Sequence, residues 1–217
     1  MIDLHTHSLL SDGVLVPSEL VRRAAVKGYT AIAITDHADS SNIDFIVPRV
    51  ARAAEELTKL LPMKVIPGIE ITHVPPAGIA RLVKEARALG AKLVVVHGET
   101  LVEPVIPGTN RAAIMSGADI LSHPGLISKA DAALAARKGV HLEISARKGH
   151  SLSNGHVAKM AGLTGAKLVI NTDSHEPGDL ITLEFARKVL EAAGMDRKGV
   201  EDTLQNSRRI VDRIFGG

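Results

Sequence analysis

Histidine and carboxylate side chains recur in this chain where short apolar runs end. His5 and His7 close Ile2-Asp3-Leu4-His5-Thr6-His7, His37 follows Ala31-Ile32-Ala33-Ile34, and Glu70 ends Val65-Ile66-Pro67-Gly68-Ile69-Glu70. His97 ends Leu93-Val94-Val95-Val96, His123 ends Ile120-Leu121-Ser122, and Asp173 and His175 follow Leu168-Val169-Ile170-Asn171-Thr172; Asp12 lies in the segment after His7. Imidazoles and carboxylates are the donors that bind Zn, Mn or Fe. Delivered from many strand ends to one place, they predict a hydrolase with a multinuclear metal site.

The elements that must position these groups alternate β and α. Apolar runs near residues 2–5, 30–35, 64–70, 92–97, 119–122, 140–145 and 167–172 read as strands buried on both faces, because they are rich in Ile, Val and Leu and barely alternate. Helical patterns lie between them, over about 17–27, 44–61, 77–89, 110–117, 129–138 and 154–164, with two more at 180–193 and 197–215. Seven β-then-α units predict one α/β barrel, one strand short of the usual eight, as a single domain over residues 1–217. Such barrels carry their chemistry at the C-terminal ends of the strands, where the ligand candidates stand. An open doubly wound sheet would gather a ligand at one switch point rather than at the tips of nearly every strand.

Composition narrows the partners. The chain has 217 residues, 45% hydrophobic and 23% charged, with a formal net charge of +2 and no cysteine. Thiolate ligands and disulfides are therefore excluded, and a reducing cytoplasm is the expected location. No apolar stretch reaches the ~20 residues of a membrane span, and the expected N-terminus leaves no room for a signal peptide. The only aromatics are Tyr29, Phe45, Phe185 and Phe215, too few to stack an extended nucleic acid.

Each histidine alone reads as an ordinary polar group at a strand end. Taken jointly, six imidazoles and three carboxylates around one cavity would strand donors and repel one another unless cations intervene. In an extended strand Asp3, His5 and His7 face the same way, which places Asp3 to orient an imidazole by accepting its second N–H.

The ordered series His5-Thr6-His7, Ser11-Asp12-Gly13, Thr35-Asp36-His37, Gly68-Ile69-Glu70, His97, His123-Pro124 and Asp173-Ser174-His175 resembles the PHP (polymerase and histidinol phosphatase) family, across residues 2 to about 180. The resemblance implies a distorted seven-stranded (β/α)7 TIM-like barrel with two or three divalent ions (Zn, Mn or Fe) that hydrolyses phosphoesters. Carried onto this sequence, His5, His7, Glu70 and Asp173 would hold a first ion. Glu70, His97 and His123 would hold a second, and Asp12, His37 and His175 a third. Some family members have His where this chain has Asp12. Three divalent ions against three carboxylates leave a site charge of about +3, which suits a phosphate dianion. Catalysis would run through a metal-bound hydroxide positioned by His5, His7, Glu70 and Asp173.

Two loops on the catalytic face are expected to select the substrate, 98–109 and 146–155. In the second, Arg147, Lys148 and His150 are candidate phosphate contacts, and His150 is also a candidate general acid. Arg111 is a weaker candidate, Glu99 could orient His97 or select substrate, Glu143 reads as a residue behind the ligands or in the barrel interior rather than a ligand, and His73, His141 and His156 read as structural. The expected substrate is a small phosphomonoester such as histidinol phosphate. The rivals are a phosphodiesterase or nuclease of the same family, a noncatalytic scaffold in a nucleic-acid-processing assembly, and an amidohydrolase-like barrel. The last would not need Asp12, His37 and His175 together.

Overall fold

The computed structural model describes residues 1–216. In chain order the elements are β1 (Ile2–Asp3), α1 (Pro17–Val26), β2 (Ala31–Ile34), β3 (His37–Ala38), α2 (Ile43–Leu60), β4 (Lys64–Ile71), α3 (Pro76–Ala88), β5 (Leu93–His97) and α4 (Thr109–Ser116). There follow β6 (Ile120–Ser122), α5 (Lys129–Lys138), β7 (His141–Ser145), a 3-10 turn (His150–Ser153), α6 (Asn154–Thr164), β8 (Leu168–Asn171), α7 (Leu183–Ala192) and α8 (Arg197–Phe215). The strands pair in parallel in the order β1-β2-β4-β5-β6-β7-β8, which is the expected seven-stranded wall wrapped by helices. The extra strand, β3, is a two-residue continuation that pairs with the upper half of β4, His37 opposite Glu70.

The barrel is nearly closed. Past the ends of β1 and β8, Asp173 N donates to His5 O at 2.9 Å and His7 N to Ser174 O at 2.8 Å. Lower in the same seam, side chains replace the ladder: Leu4 N donates to Asn171 Oδ1 at 2.8 Å, and Thr172 Oγ1 to Asp3 Oδ2 at 2.6 Å.

A period of two decides what faces inward. In β2 and β5, Ala31, Ala33, Leu93 and Val95 join Leu4, Ile66, Ile120 and Val169 in the inner apolar cluster, whereas Ile32, Ile34, Val94 and Val96 pack outward under the helices. Ile210 and Val211 of α8 complete that inner cluster from below. Two residues beyond Val95 the same face presents His97, and two beyond Gly68 it presents Glu70. These polar groups therefore stand directly above a buried apolar layer, where electrostatic interactions are strong.

Asp3 departs from expectation. Regular β1 ends at Asp3, so the strict alternation through His7 fails. Its carboxylate accepts from Thr172 and from the backbone N–H of His5 (3.3 Å) and touches no imidazole, while burial raises it to about pH 7. Glu143 of β7 takes the role instead.

Candidate metal centre

The floor of the site is Glu70, fully buried on β4. Its Oε1 lies 3.3 Å from His5 Nε2 and accepts from Ser122 Oγ at 2.6 Å; its Oε2 lies 2.8 Å from His37 Nδ1 and 3.9 Å from His7 Nε2. The two imidazoles of the His-x-His pair meet Nε2 to Nε2 at 3.0 Å. Asp173 Oδ1 faces the same point, 3.2 Å from His7 Nε2 and 3.7 Å from His5 Nε2. His5 Nδ1 donates to Glu143 Oε2 at 2.8 Å, and Asn171 Nδ2 donates to that oxygen too. A proton held on Nδ1 leaves the Nε2 lone pair of the neutral ring aimed inward. Asp173 and His123 both hold a left-handed backbone, φ 53° and 25°, an unusual conformation for residues with a Cβ and one that clusters at functional sites.

The Asp12 group stands beside this pair. Asp12 Oδ2 is 3.2 Å from His175 Nε2, and Oδ1 is 3.5 Å from His37 Nε2 and 4.0 Å from His7 Nδ1. The segment carrying Asp12 is tied to the β2–β3 break by Asp36, whose carboxylate accepts from the N–H and hydroxyl of both Ser8 and Ser11. The motif Thr35-Asp36-His37 by itself assigns Asp36 no role, because its partners lie 25 and 28 positions away. Gly13 returns this segment so tightly that a Cβ there would lie 2.4 Å from His7 O. Gly13→Ala is expected to destabilise the fold by about 1–3 kcal/mol through overpacking and to lower activity by displacing His7. Thermal unfolding beside kcat/KM checks this, and an unchanged pair of values would refute the tight approach.

The expected second set is only partly assembled. His123 Nε2 is 3.7 Å from both Glu70 Oε1 and Asp173 Oδ2, and its ring lies 4.4 Å from that of His97. His97 Nε2, however, faces Glu103 Oε2 at 2.9 Å, and His73 Nε2 reaches the same oxygen at 3.0 Å. Glu103 was missed because it sits in an irregular loop whose side-chain directions no periodicity fixes. His73 is at the mouth, not in the structural background expected of it. His156 does remain structural, donating Nε2–H to Ile127 O at 2.8 Å, and His141 is buried in β7 away from the cluster.

The protons are distributed unevenly. Against the cost of burial, Glu143, Glu70 and Asp173 hold the His5 imidazole well above its usual pKa, Glu70 raises His37, and Glu103 with Glu70 raises His97. Burial and then neighbouring imidazoles push His7 and His123 well below. Burial would raise Glu70, but His5 and His37 hold it well below the carboxylate range. Burial raises Asp173 despite His5. Two buried nitrogens, Nδ1 of His7 and of His123, still have no hydrogen-bond partner among the described residues.

Of the expected substrate contacts, Arg147 and His150 line the cavity and Lys148 is exposed outside it. Arg147 Nη1 donates to Asp173 O at 3.0 Å and lies 3.5 Å from Asp179 Oδ2, an oxygen that also receives the N–H groups of His175 and Glu176. His150 stacks on His123 with ring centroids 4.0 Å apart, and its Nδ1 lies 2.7 Å from Thr100 Oγ1. Arg111 is spent on Asp131 at 2.9 Å. Glu99 does not orient His97: it accepts from the N–H groups of Gly108 and Asn110 and so fastens the base of its own loop, while His97 Nδ1 meets Gly98 O at 3.1 Å.

The groups enclose a cavity of about 340 Å³. A larger groove of about 1030 Å³ runs along the outer wall past α6 and α8, but its lining of Gly, Ala and surface Lys and Asp brings no imidazole together. The chemistry belongs to the smaller cavity.

A parallel α/β barrel that gathers histidines and carboxylates at the C-terminal ends of its strands has the arrangement in which such barrels place their chemistry. The PHP domain family model matches residues 3–148, and the chain belongs to this family. An uncharacterized protein of Methanocaldococcus jannaschii is 50% identical over 98% of this chain and 99% of its own length. A protein of Shewanella sp. ANA-3 named "Probable phosphatase" is 31% identical over 88% of this chain and 82% of its own. A chain of archaeal ribonuclease P, in a cryo-EM structure with mature tRNA, superposes with a TM-score of 0.76, covering 99% of this chain and 91% of that one. At 18% identity that likeness shows the fold alone.

Proposed function

We propose that this chain hydrolyses a small phosphomonoester at two or three divalent cations held by His5, His7, Asp12, His37, Glu70, His97, His123, Asp173 and His175. The observation that carries the reading is the buried pair of His5 Nε2 and His7 Nε2, 3.0 Å apart, with Glu70 Oε1 3.3 Å from the first and Asp173 Oδ1 3.2 Å from the second. The donors suit a cation: they are nitrogen and oxygen only, their lone pairs converge, and the unpaired Nδ1 of His7 points toward the neighbouring Asp12 group. Zn, Mn and Fe all accept this ligand chemistry. Ions bound there supply Lewis acidity to a phosphoryl oxygen and activate water near neutral pH.

The chain's own residues do the rest. The cavity admits a phosphoryl group with a small alcohol portion. Arg147, released from the Asp173 carbonyl, offers a planar pair of donors to phosphoryl oxygens. When Thr100 Oγ1–H donates to His150 Nδ1, the neutral ring carries its proton on Nε2. That atom lies 3.6 Å from Asp173 Oδ2 and can donate to a phosphoryl or leaving oxygen. Arg147→Ala is expected to raise KM about tenfold, whereas Lys148→Ala leaves KM unchanged. Equal effects of the two would show that the rim geometry does not govern binding.

The test is phosphate release by Mn-loaded protein from L-histidinol phosphate, nucleoside and sugar monophosphates, a phosphodiester and a 5′-phosphorylated RNA. Selective turnover of a monoester supports the reading. Turnover of the diester or RNA alone replaces it with the nuclease alternative, and no turnover with no bound ions replaces it with the scaffold alternative. Among the described residues no helix is long and apolar enough to cross a membrane.

A further inference from the structure

The turn after β8 gathers three N–H groups on one oxygen. Asp179 Oδ2 accepts from His175 N at 2.9 Å and from Glu176 N at 3.0 Å, and Arg147 Nη1 reaches it from the loop after β7 at 3.5 Å. Asp179 N closes the turn by donating to Glu176 O at 3.0 Å. The turn is held to the body by Leu180, buried in the core, and by Ile181 N donating to Tyr29 Oη at 3.1 Å. Asp179 is therefore a fixed point. Arg147 is held from one side only: Nη1 is shared between Asp173 O at 3.0 Å and Asp179 Oδ2, and Nε lies 3.7 Å from Asp173 Oδ2. Among the described residues, the Arg147 Nη2 group donates to no protein atom. Arg147 lines the cavity and Asp179 does not, so any effect of Asp179 on a bound phosphate passes through the arginine.

We propose that Asp179 is a positioning residue for phosphate binding, the anchor that keeps Arg147 turned to the cavity when a phosphoryl group draws it off the Asp173 carbonyl. The inference rests on the proposed hydrolytic reading in which Arg147 contacts phosphoryl oxygens. A loose arginine loses rotamer freedom when it grips a phosphate, whereas one already anchored loses less, so the anchor strengthens binding. Charge alone argues the other way: an anion beside an anion site weakens phosphate binding. The two effects predict opposite signs when the charge of Asp179 is removed, which makes the role measurable. The same oxygen fixes the N–H of His175, whose Nε2 lies 3.2 Å from Asp12 Oδ2. The phosphate-binding arginine and the Asp12 group thus take their places from one shared atom.

The experiment measures the binding of inorganic phosphate to the Mn-loaded full-length protein by calorimetry, beside KM and kcat for whichever phosphomonoester it hydrolyses. Asp179→Asn keeps an oxygen for the two backbone N–H groups and removes the charge. It is expected to weaken phosphate binding and raise KM about three- to fivefold, the size of a partly exposed ion pair, with kcat within about twofold and thermal unfolding unchanged. Arg147→Ala should weaken phosphate binding about tenfold, and adding Asp179→Asn to it should change nothing further. Glu176→Gln removes an exposed charge from the same turn and should leave phosphate binding as tight as before or tighter. Unchanged or tighter binding by Asp179→Asn, or an equal loss in the Arg147→Ala background, would overturn the positioning role, while hydrolysis by the wild type keeps the proposed function. The expected pattern of phosphate binding without turnover of any phosphomonoester keeps the positioning role and ends that function. Neither binding nor turnover by the wild type removes both.

Discussion

Glu70→Gln is expected to lower phosphoester hydrolysis at least about 10³-fold, a loss of about 4 kcal/mol in transition-state stabilisation, without unfolding the protein. Both carboxylate oxygens are in use: Oε1 faces His5 and His123 and accepts from Ser122, and Oε2 faces His37 and His7. Glutamine keeps the volume but removes the charge, and its NH2 points a donor at nitrogens that must offer lone pairs. The fold survives because its core lies elsewhere, in the apolar layer of Leu4, Ile66, Leu93, Val95, Ile120 and Val169 and in the shell between strands and helices. In the metal-free protein the loss of this anion should bring the raised imidazoles of His5 and His37 back down, which NMR titration would detect. Turnover within tenfold of the wild type would end the proposal that Glu70 helps hold the cations.

Stripping the metals should abolish turnover, and restoring Mn or Zn should return it. Ligands bound only by the folded state stabilise it by about 4 kcal/mol at a thousand times Kd. For a chain of this length that corresponds to a rise in Tm of roughly 8–16 °C, at about 2–4 °C per kcal/mol. The pH dependence has a definite sign. Against burial, Glu143 and Glu70 raise His5, Glu70 raises His37, and Glu103 with Glu70 raises His97, so below those raised values metal binding must expel protons from these rings. Affinity should therefore increase as pH rises towards those raised values. His7 and His123 are already neutral there and release nothing. Calorimetry in two buffers of different ionisation enthalpy measures the released protons, and a buffer-independent heat would contradict this account.

How much of this could be read beforehand depends on whether periodicity reaches the residue concerned. In β4 and β5 the chain is regular, so the inward face that holds Ile66 or Val95 must also hold Glu70 or His97. The seven-stranded wall follows from the same buried runs. Where the backbone leaves the ladder, that reasoning stops. Asp3 looked like a partner for an imidazole only while β1 was taken as extended through His7. It ends at Asp3, and Glu143, far away in sequence, binds His5 instead. Lys148 and Arg147 are neighbours of like charge, yet only Arg147 turns to the cavity, because the carbonyl of Asp173 and the carboxylate of Asp179 hold it there.

The ligand types, their order and their attachment to strand ends were therefore determined by the sequence itself, since donor chemistry and a two-residue repeat are local properties. Tertiary structure alone decided which ligands meet. His97 turns to Glu103 and His73 rather than to Glu70, and Asp36 fixes the segment bearing Asp12. Those outcomes depend on loop conformations and on contacts between residues tens of positions apart, and no local pattern encodes the distance between two loops.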